Sequence, residues 1–251
     1  MFRMYHIKVQ SYDSEEPLFT KLRGGDGTLF VPEARVAKDY FRTGLYERGY
    51  IDWAFNNFAR EDKSVIDIGA HIGMYTLEMA KKAKHVYSFE CSPKSFNYLC
   101  ANIALRDIPY KVTKYNVALS DKEGLTPYYI RDPRDGGGNG ISGFDIDIQK
   151  QIPTIQVPTK LLDSYGLIDI NFIKIDVEGH EEFVLKGAVK TLEENNYPKI
   201  LFESWPDRCE GTHGVPAKEL RKSLFEYLQS LEYKIVQVHG GTDDMFLAER
   251  T

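Results

Sequence analysis

The stretch Ser64-Val65-Ile66-Asp67-Ile68-Gly69-Ala70-His71-Ile72-Gly73-Met74-Tyr75-Thr76 decides the architecture. Residues 65–68 are a short β-branched run of the kind a buried strand requires, and two glycines four apart lead from it into an amphipathic segment of helical period. The unit reads as strand, glycine turn, helix. Glycines let the main chain approach a ligand closely, and the first N–H groups of a new helix lack internal partners, so this turn suits a nucleotide-type ligand.

Outward from this unit, strands are expected at 65–68, 85–90, 111–118, 172–176, 200–204, 234–238 and 245–248. Helices are expected at 72–82, 93–105, 178–194 and 217–231, the second with Ser92 as N-cap and Pro93 at its first position. Such alternation implies a mostly parallel sheet covered on both faces. Residues 239–244 are too few for a crossover helix, so the last two strands should form an antiparallel hairpin. A doubly wound sheet with that ending resembles class I S-adenosylmethionine-dependent methyltransferases, a Rossmann-like seven-stranded α/β fold.

Two regions break the pattern. Residues 125–158 are expected to be a mobile loop centred on 135–143, which hold five glycines in nine residues; it either covers substrate or is a plain surface excursion. Residues 1–60 carry turn signals at Gly24-Gly25-Asp26-Gly27, short strands expected at 7–9 and 28–31, and an aromatic-rich segment at 37–59. They are expected to form an N-terminal extension or lid on a domain spanning 61–251.

Of the 251 residues 42% are hydrophobic and 27% charged, the composition of an ordinary globular chain with a sizeable core. The net charge of −5 argues against nucleic acid as the partner. No apolar run has the length of a membrane span, and the N-terminus lacks the apolar core of a signal peptide, so the expectation is a cytoplasmic protein. Cys91, Cys100 and Cys209 are odd in number and form no C-x-x-C pair, which favours reduced thiols over disulfides or structural zinc.

The glycine turn does not match the G-x-G-x-x-G of dinucleotide sites. Glu90 lies about 20 residues beyond it at the end of the next strand, where a carboxylate can accept from both hydroxyls of a ribose. An adenosyl group without pyrophosphate fits that pattern. Asp67 either orients the far end of the cofactor or bonds nearby backbone N–H groups, and Asn116 either meets the adenine or closes a turn.

Phe172-Ile173-Lys174-Ile175-Asp176-Val177-Glu178-Gly179-His180-Glu181 is the sharpest signal. A strand expected to be apolar on both faces carries Lys174 and ends in two carboxylates and a histidine. An unpaired buried lysine is costly, so Lys174 must reach a carboxylate or a substrate oxygen. With Val65-Ile66-Asp67-Ile68-Gly69-Ala70-x-x-Gly73, Phe89-Glu90-x-x-Pro93 and Ala118-Leu119-Ser120, this string resembles the FkbM-type methyltransferases from about residue 46 to 204. His71 and Cys91-Ser92 are mild departures from that pattern.

The resemblance implies S-adenosyl-L-methionine as cofactor and O-methylation of a sugar, a glycan or a secondary-metabolite hydroxyl as the reaction. It places Glu47, Asp67, Gly69, Ala70, Gly73, Tyr75, Thr76, Glu90, Asn116, Ala118 and Asp176 at the cofactor, and Asp176, Glu178, His180 and Glu203 at the substrate. A protonated hydroxyl is a poor nucleophile, so a base is expected from Asp176 or His180, with Lys174 steadying charge. The competing version is Mg2+ or Mn2+ held by Asp176 and Glu203. His213 is a further candidate base, and Arg131, Arg134, Trp205, Asp207 and Arg208 are candidates for acceptor recognition. A base-directed amino-methyltransferase would carry an Asn/Asp-Pro-Pro-aromatic run, which residues 176–179 do not. An inactive cofactor-binding scaffold and a homodimer remain open.

Overall fold

The computed structural model describes residues 18–21, 27–30, 47–131, 138–141, 152–210, 216–239 and 244–250. The expected strand at 7–9, Arg134 and His213 lie outside them. Strands β1 (Leu18–Lys21) and β2 (Gly27–Phe30) pair antiparallel, and helix α1 follows at Arg48–Phe58. The alternating part runs β3 (Ser64–Ile68), α2 (Met74–Met79), β4 (Val86–Phe89), α3 (Pro93–Leu105) and β5 (Val112–Tyr115). It continues through β6 (Ala118–Leu119), β7 (Gly124–Tyr129), β8 (Thr154–Lys160), β9 (Ile170–Ile175), α4 (Glu181–Lys186) and α5 (Val189–Glu194). The chain closes with β10 (Lys199–Glu203), α6 (Ala217–Ser230), β11 (Lys234–Gln237) and β12 (Met245–Glu249).

Seven strands form one sheet in the order β11-β12-β10-β9-β3-β4-β5. Every pair from β10 to β5 is parallel, while β12 is antiparallel to both β10 and β11, which gives the expected terminal hairpin. From β3 the order runs one way through β4 and β5, and from β9 the other way through β10. The reversal between β3 and β9 opens a crevice at their carboxyl ends, where open α/β sheets bind ligands.

Both faces of the sheet are covered. Val65, Phe172 and Leu201 pack with Tyr50, Ile51, Ala54 and Leu99 from α1 and α3, and Ile66, Ile68, Ile173, Ile175 and Phe202 pack with residues of α4, α5 and α6. The described end of the expected extension, α1, is thus part of the core. The three cysteines are free thiols.

Several sequence expectations are corrected. The 125–158 stretch is not all loop: β7 and β8 pair antiparallel from Gly124↔Thr159 to Tyr129↔Thr154, and with β6 they make a three-stranded sheet. The single strand expected at 111–118 breaks at Asn116, with β6 leaving for that second sheet. The single helix expected at 178–194 starts late because Glu178 is left-handed (φ 57°), and it is interrupted at Gly187. A Cβ on Gly187 would lie 2.0 Å from the Ser120 carbonyl oxygen, so the backbone approaches too closely there for a side chain. Asp163 then caps α5, accepting from the backbone N–H groups of Thr191 at 2.7 Å and Lys190 at 3.0 Å.

Candidate active site

A cleft with about 1050 Å³ of empty space, its open mouth included, lies at the switch point between β3 and β9. Its floor is the glycine turn. Gly69 (φ 77°) packs against β9 so closely that a Cβ would sit 1.8 Å from the Asp176 carbonyl oxygen. His71 is also left-handed, at φ 51°.

Glu90 closes one side. Its Oε2 accepts from the His71 N–H at 2.8 Å and its Oε1 from the Ser92 N–H at 2.7 Å, which leaves each oxygen a lone pair for a further donor. Burial pushes its carboxyl up to about 7, against the pull of those two N–H groups. Val117, Ala118, Leu119, Phe89 and Cys91 make a mostly apolar wall beside it, and burial holds the Cys91 thiol well above the usual range.

Asp67 and Lys174 are register partners on β3 and β9. Asp67 is 2% exposed; its Oδ2 accepts from Thr76 Oγ1 at 2.6 Å and its Oδ1 faces Lys174 Nζ at 4.0 Å. Lys174 Nζ reaches Asp176 Oδ2 at 3.2 Å and the Gly69 carbonyl at 3.4 Å, and it lies 5.0 Å from the centroid of the Tyr75 ring. Burial lowers its proton affinity, but the Asp176, Asp67 and Glu47 carboxylates outweigh burial and hold the ammonium above its ordinary value. The buried lysine thus reaches a carboxylate, as its position requires.

At the mouth, carboxylate oxygens of Asp176, Glu178 and Glu203 lie within 4.8 Å of one another. Burial first, then the Asp176 charge, pushes both Glu178 and Glu203 upward. Glu181 stands behind them, its Oε1 accepting from the N–H groups of Val177 (3.1 Å) and Gly179 (3.2 Å), so it shapes the turn that carries Asp176 and Glu178. Burial lifts Glu181 to about 7 despite its backbone donors. His180 is 7% exposed, bonds Ser120 Oγ through Nε2 at 2.9 Å, and is pushed down to about 4 by burial, so it is neutral at pH 7.

Of the residues named from sequence, Glu47, Gly69, Ala70, Tyr75, Glu90, Ala118, Lys174, Asp176, Glu178, His180 and Glu203 line this cleft. Four of the residues expected at the cofactor do not line it. Asp67 and Thr76 bond each other beneath the floor, Gly73 (φ 98°) fits under Leu99, and Asn116 donates to the carbonyls of Glu90 (2.8 Å) and Cys91 (3.2 Å), which fixes the end of β4. Trp205 borders a smaller neighbouring hollow with Arg221, while Asp207 and Arg208 are exposed. Sequence reasoning missed Tyr128 on the second sheet; it offered the 135–143 loop as a substrate cover, and Asn139, Gly140 and Ile141 of that loop line the cleft. The alternation of Ile155, Val157 and Thr159 was the available signal for that sheet.

The family model of the methyltransferase FkbM domain matches residues 67–235. The hexuronic acid methyltransferase AglP of Haloferax volcanii is 29% identical over 174 residues, covering 69% of this chain and 66% of that one. A tRNA(Phe) (4-demethylwyosine(37)-C(7)) aminocarboxypropyltransferase of Methanocaldococcus jannaschii is 32% identical over 127 residues, covering 48% of this chain and 47% of that one. The chain therefore spans less than two thirds of the length of either relative. Among solved structures, the methyltransferase FkbM of Methylobacillus flagellatus aligns with a TM-score of 0.51 at 18% identity, over 86% of this chain and 48% of that one. The seven-stranded sheet, the crevice at its switch point and the match over 67–235 place this protein together: the chain belongs to the methyltransferase FkbM family.

Proposed function

We propose that the protein is an S-adenosylmethionine-dependent O-methyltransferase acting on a hydroxyl of a sugar or glycan. One observation carries this reading: Glu90 and the Asp176–Glu178–Glu203 carboxylates face the same cleft, so a ribose-binding acid and a source of base share one cavity. When bound there, the cofactor supplies an electrophilic methyl group. Glu90 would accept from the two ribose hydroxyls while keeping its bonds to His71 and Ser92, and the apolar wall from Val117 to Leu119 would flank the adenine. Lys174, held between Asp67 and Asp176, keeps the floor and the mouth in register.

Methyl transfer to oxygen is an in-line displacement, so alignment supplies much of the rate and a base supplies the rest. Asp176, the carboxylate of the three that Lys174 pairs at 3.2 Å, takes the proton that the acceptor hydroxyl loses, while Glu203, its proton affinity raised by burial and by the Asp176 charge, keeps its own. His180 is a poorer base, because its Nε2 is engaged by Ser120 and burial depresses its affinity. The three close carboxylates also support a second reading, with Mg2+ or Mn2+ in place of the shared protons. Lys174 already brings positive charge to Asp176, which favours the metal-free version. Activity that survives exhaustive chelation removes the metal.

The sugar assignment draws support from the hexuronic acid methyltransferase relative and from the acidic net charge of −5. The test is transfer of labelled methyl from S-adenosylmethionine to a hexuronic acid, a neutral hexose, an oligosaccharide and RNA. A base-stable methyl ether on a sugar is expected. Label on RNA, or a base-labile ester on the uronate carboxyl, contradicts the reading; cofactor binding without turnover on any acceptor favours the scaffold.

A further inference from the structure

Asn139, Gly140 and Ile141 form one wall of the cleft, and Gly138 leads into it. Gly140 is bridged to Tyr129 at the end of β7, with the Tyr129 N–H donating to the Gly140 carbonyl at 2.8 Å. Arg131, two residues past that bridge, grips the wall twice: its Nε–H donates to the Gly138 carbonyl at 2.7 Å and its backbone N–H to Asn139 Oδ1 at 2.8 Å. Gly138 in turn donates its N–H across the cleft to Glu178 Oε1 at 2.7 Å, while Glu178 Oε2 stands 4.0 Å from Arg131 Nη2.

The fit at this junction is close. A Cβ on Gly138 (φ 77°) would meet Arg131 Nη2 at 2.3 Å and push the guanidinium aside, and a Cβ on Gly140 would lie 3.2 Å from that of Glu178. Glu178 itself is left-handed (φ 57°), a conformation that a non-glycine residue holds only when its surroundings stabilise it. The strain sits at the residue that meets the wall.

We infer that Arg131 is a positioning residue, which through Gly138 and Glu178 latches residues 138–141 over the cleft and so builds its acceptor face. The inference rests on the proposed reading for its chemistry, and for its geometry only on these contacts. Glu178 then serves the wall, and proton transfer is left to Asp176 beside Lys174. Lysine is no substitute, because its point charge cannot reproduce the planar grip of the guanidinium on the Gly138 carbonyl.

The test compares the wild type with Arg131→Met and Arg131→Lys in two measurements, with Arg131→Ala added for chemical rescue. Hydrogen exchange on the ligand-free protein should show at least tenfold faster exchange confined to 138–141 in both variants, with β3 and β9 unchanged. Stopped-flow binding of S-adenosylhomocysteine should show dissociation at least several-fold faster, without slower association, and methylguanidinium should restore the slow rate in Arg131→Ala. Unchanged exchange at 138–141 overturns the latch, as does loosening that spreads into β3 and β9, because Arg131 is then only a packing residue. Failure of the wild type to bind S-adenosylhomocysteine instead strikes the cofactor reading, and the exchange measurement still decides the latch.

Discussion

Lys174 stands opposite Asp67 in the β3–β9 register and reaches Asp176 at 3.2 Å, so its loss strands two carboxylates that it now balances. Removing one partner of a buried pair is worth about 3 kcal/mol or more. Lys174→Met should therefore lower unfolding free energy by about 3 kcal/mol in urea denaturation at pH 7, with part of the loss recovered at pH 5 as carboxylates take up protons; a loss under about 1 kcal/mol contradicts this role. Gly69→Ala combines a disfavoured backbone conformation with a Cβ 1.8 Å from the Asp176 carbonyl. It should cost at least about 2 kcal/mol in the same measurement and abolish cofactor binding. Both residues were legible in the sequence, Lys174 because a lysine inside an apolar strand needs a partner and Gly69 because it ends a strand. The buried bond from Thr76 to Asp67 was not legible, since nothing in residue order says which way a carboxylate at a strand end will turn.

At the scale of elements, helix α3 occupies the span its sequence predicts, Pro93–Leu105, because Ser92 and Pro93 mark its start without ambiguity. Ser92 Oγ accepts from the Ser95 N–H at 3.3 Å, while Glu90 is held by the Ser92 backbone N–H, which any side chain leaves in place. Ser92→Ala should thus cost about 1 kcal/mol of stability and leave cofactor affinity within about twofold, as thermal unfolding and calorimetry would show. The β7–β8 pair was hidden by Pro127 and Pro158, which weaken a strand reading, and by the glycines between them. Pro158 is tolerated because β6 pairs only with Thr159 and Lys160, leaving the ladder open beside it. The interruption of the 178–194 helix was equally hidden, since its cause is contact between Gly187 and the distant Ser120 backbone.

For the whole molecule, the cleft concentrates buried acids whose proton affinity is raised, and this sets the pH response. Glu90, Glu178 and Glu181 titrate near 7 in the folded chain against 4.5 for the ordinary side chain, and burial and neighbouring acids raise Glu203 well above 4.5 in the same sense. Between those limits the folded chain holds protons that the unfolded chain has lost, so stability falls as pH rises through the window. His180, depressed from 6.5 to about 4, acts in the opposite sense between those values, but as one group of the cleft against four. The ligand-free protein should melt at least about 2 °C higher at pH 5.5 than at pH 7.5, and a melting temperature that rises with pH contradicts the burial of these acids. The most direct measurement of the account is calorimetric titration of S-adenosylhomocysteine into the wild type and Glu90→Ala, with circular dichroism confirming that both are folded. At pH 8, where Glu90 is mostly ionised, two hydrogen bonds to a charged carboxylate are worth about 3 kcal/mol together, so binding should weaken by about 100-fold in the variant. Equal affinity in the two proteins, or a wild type that does not bind, would contradict the cleft as the seat of the methyl donor.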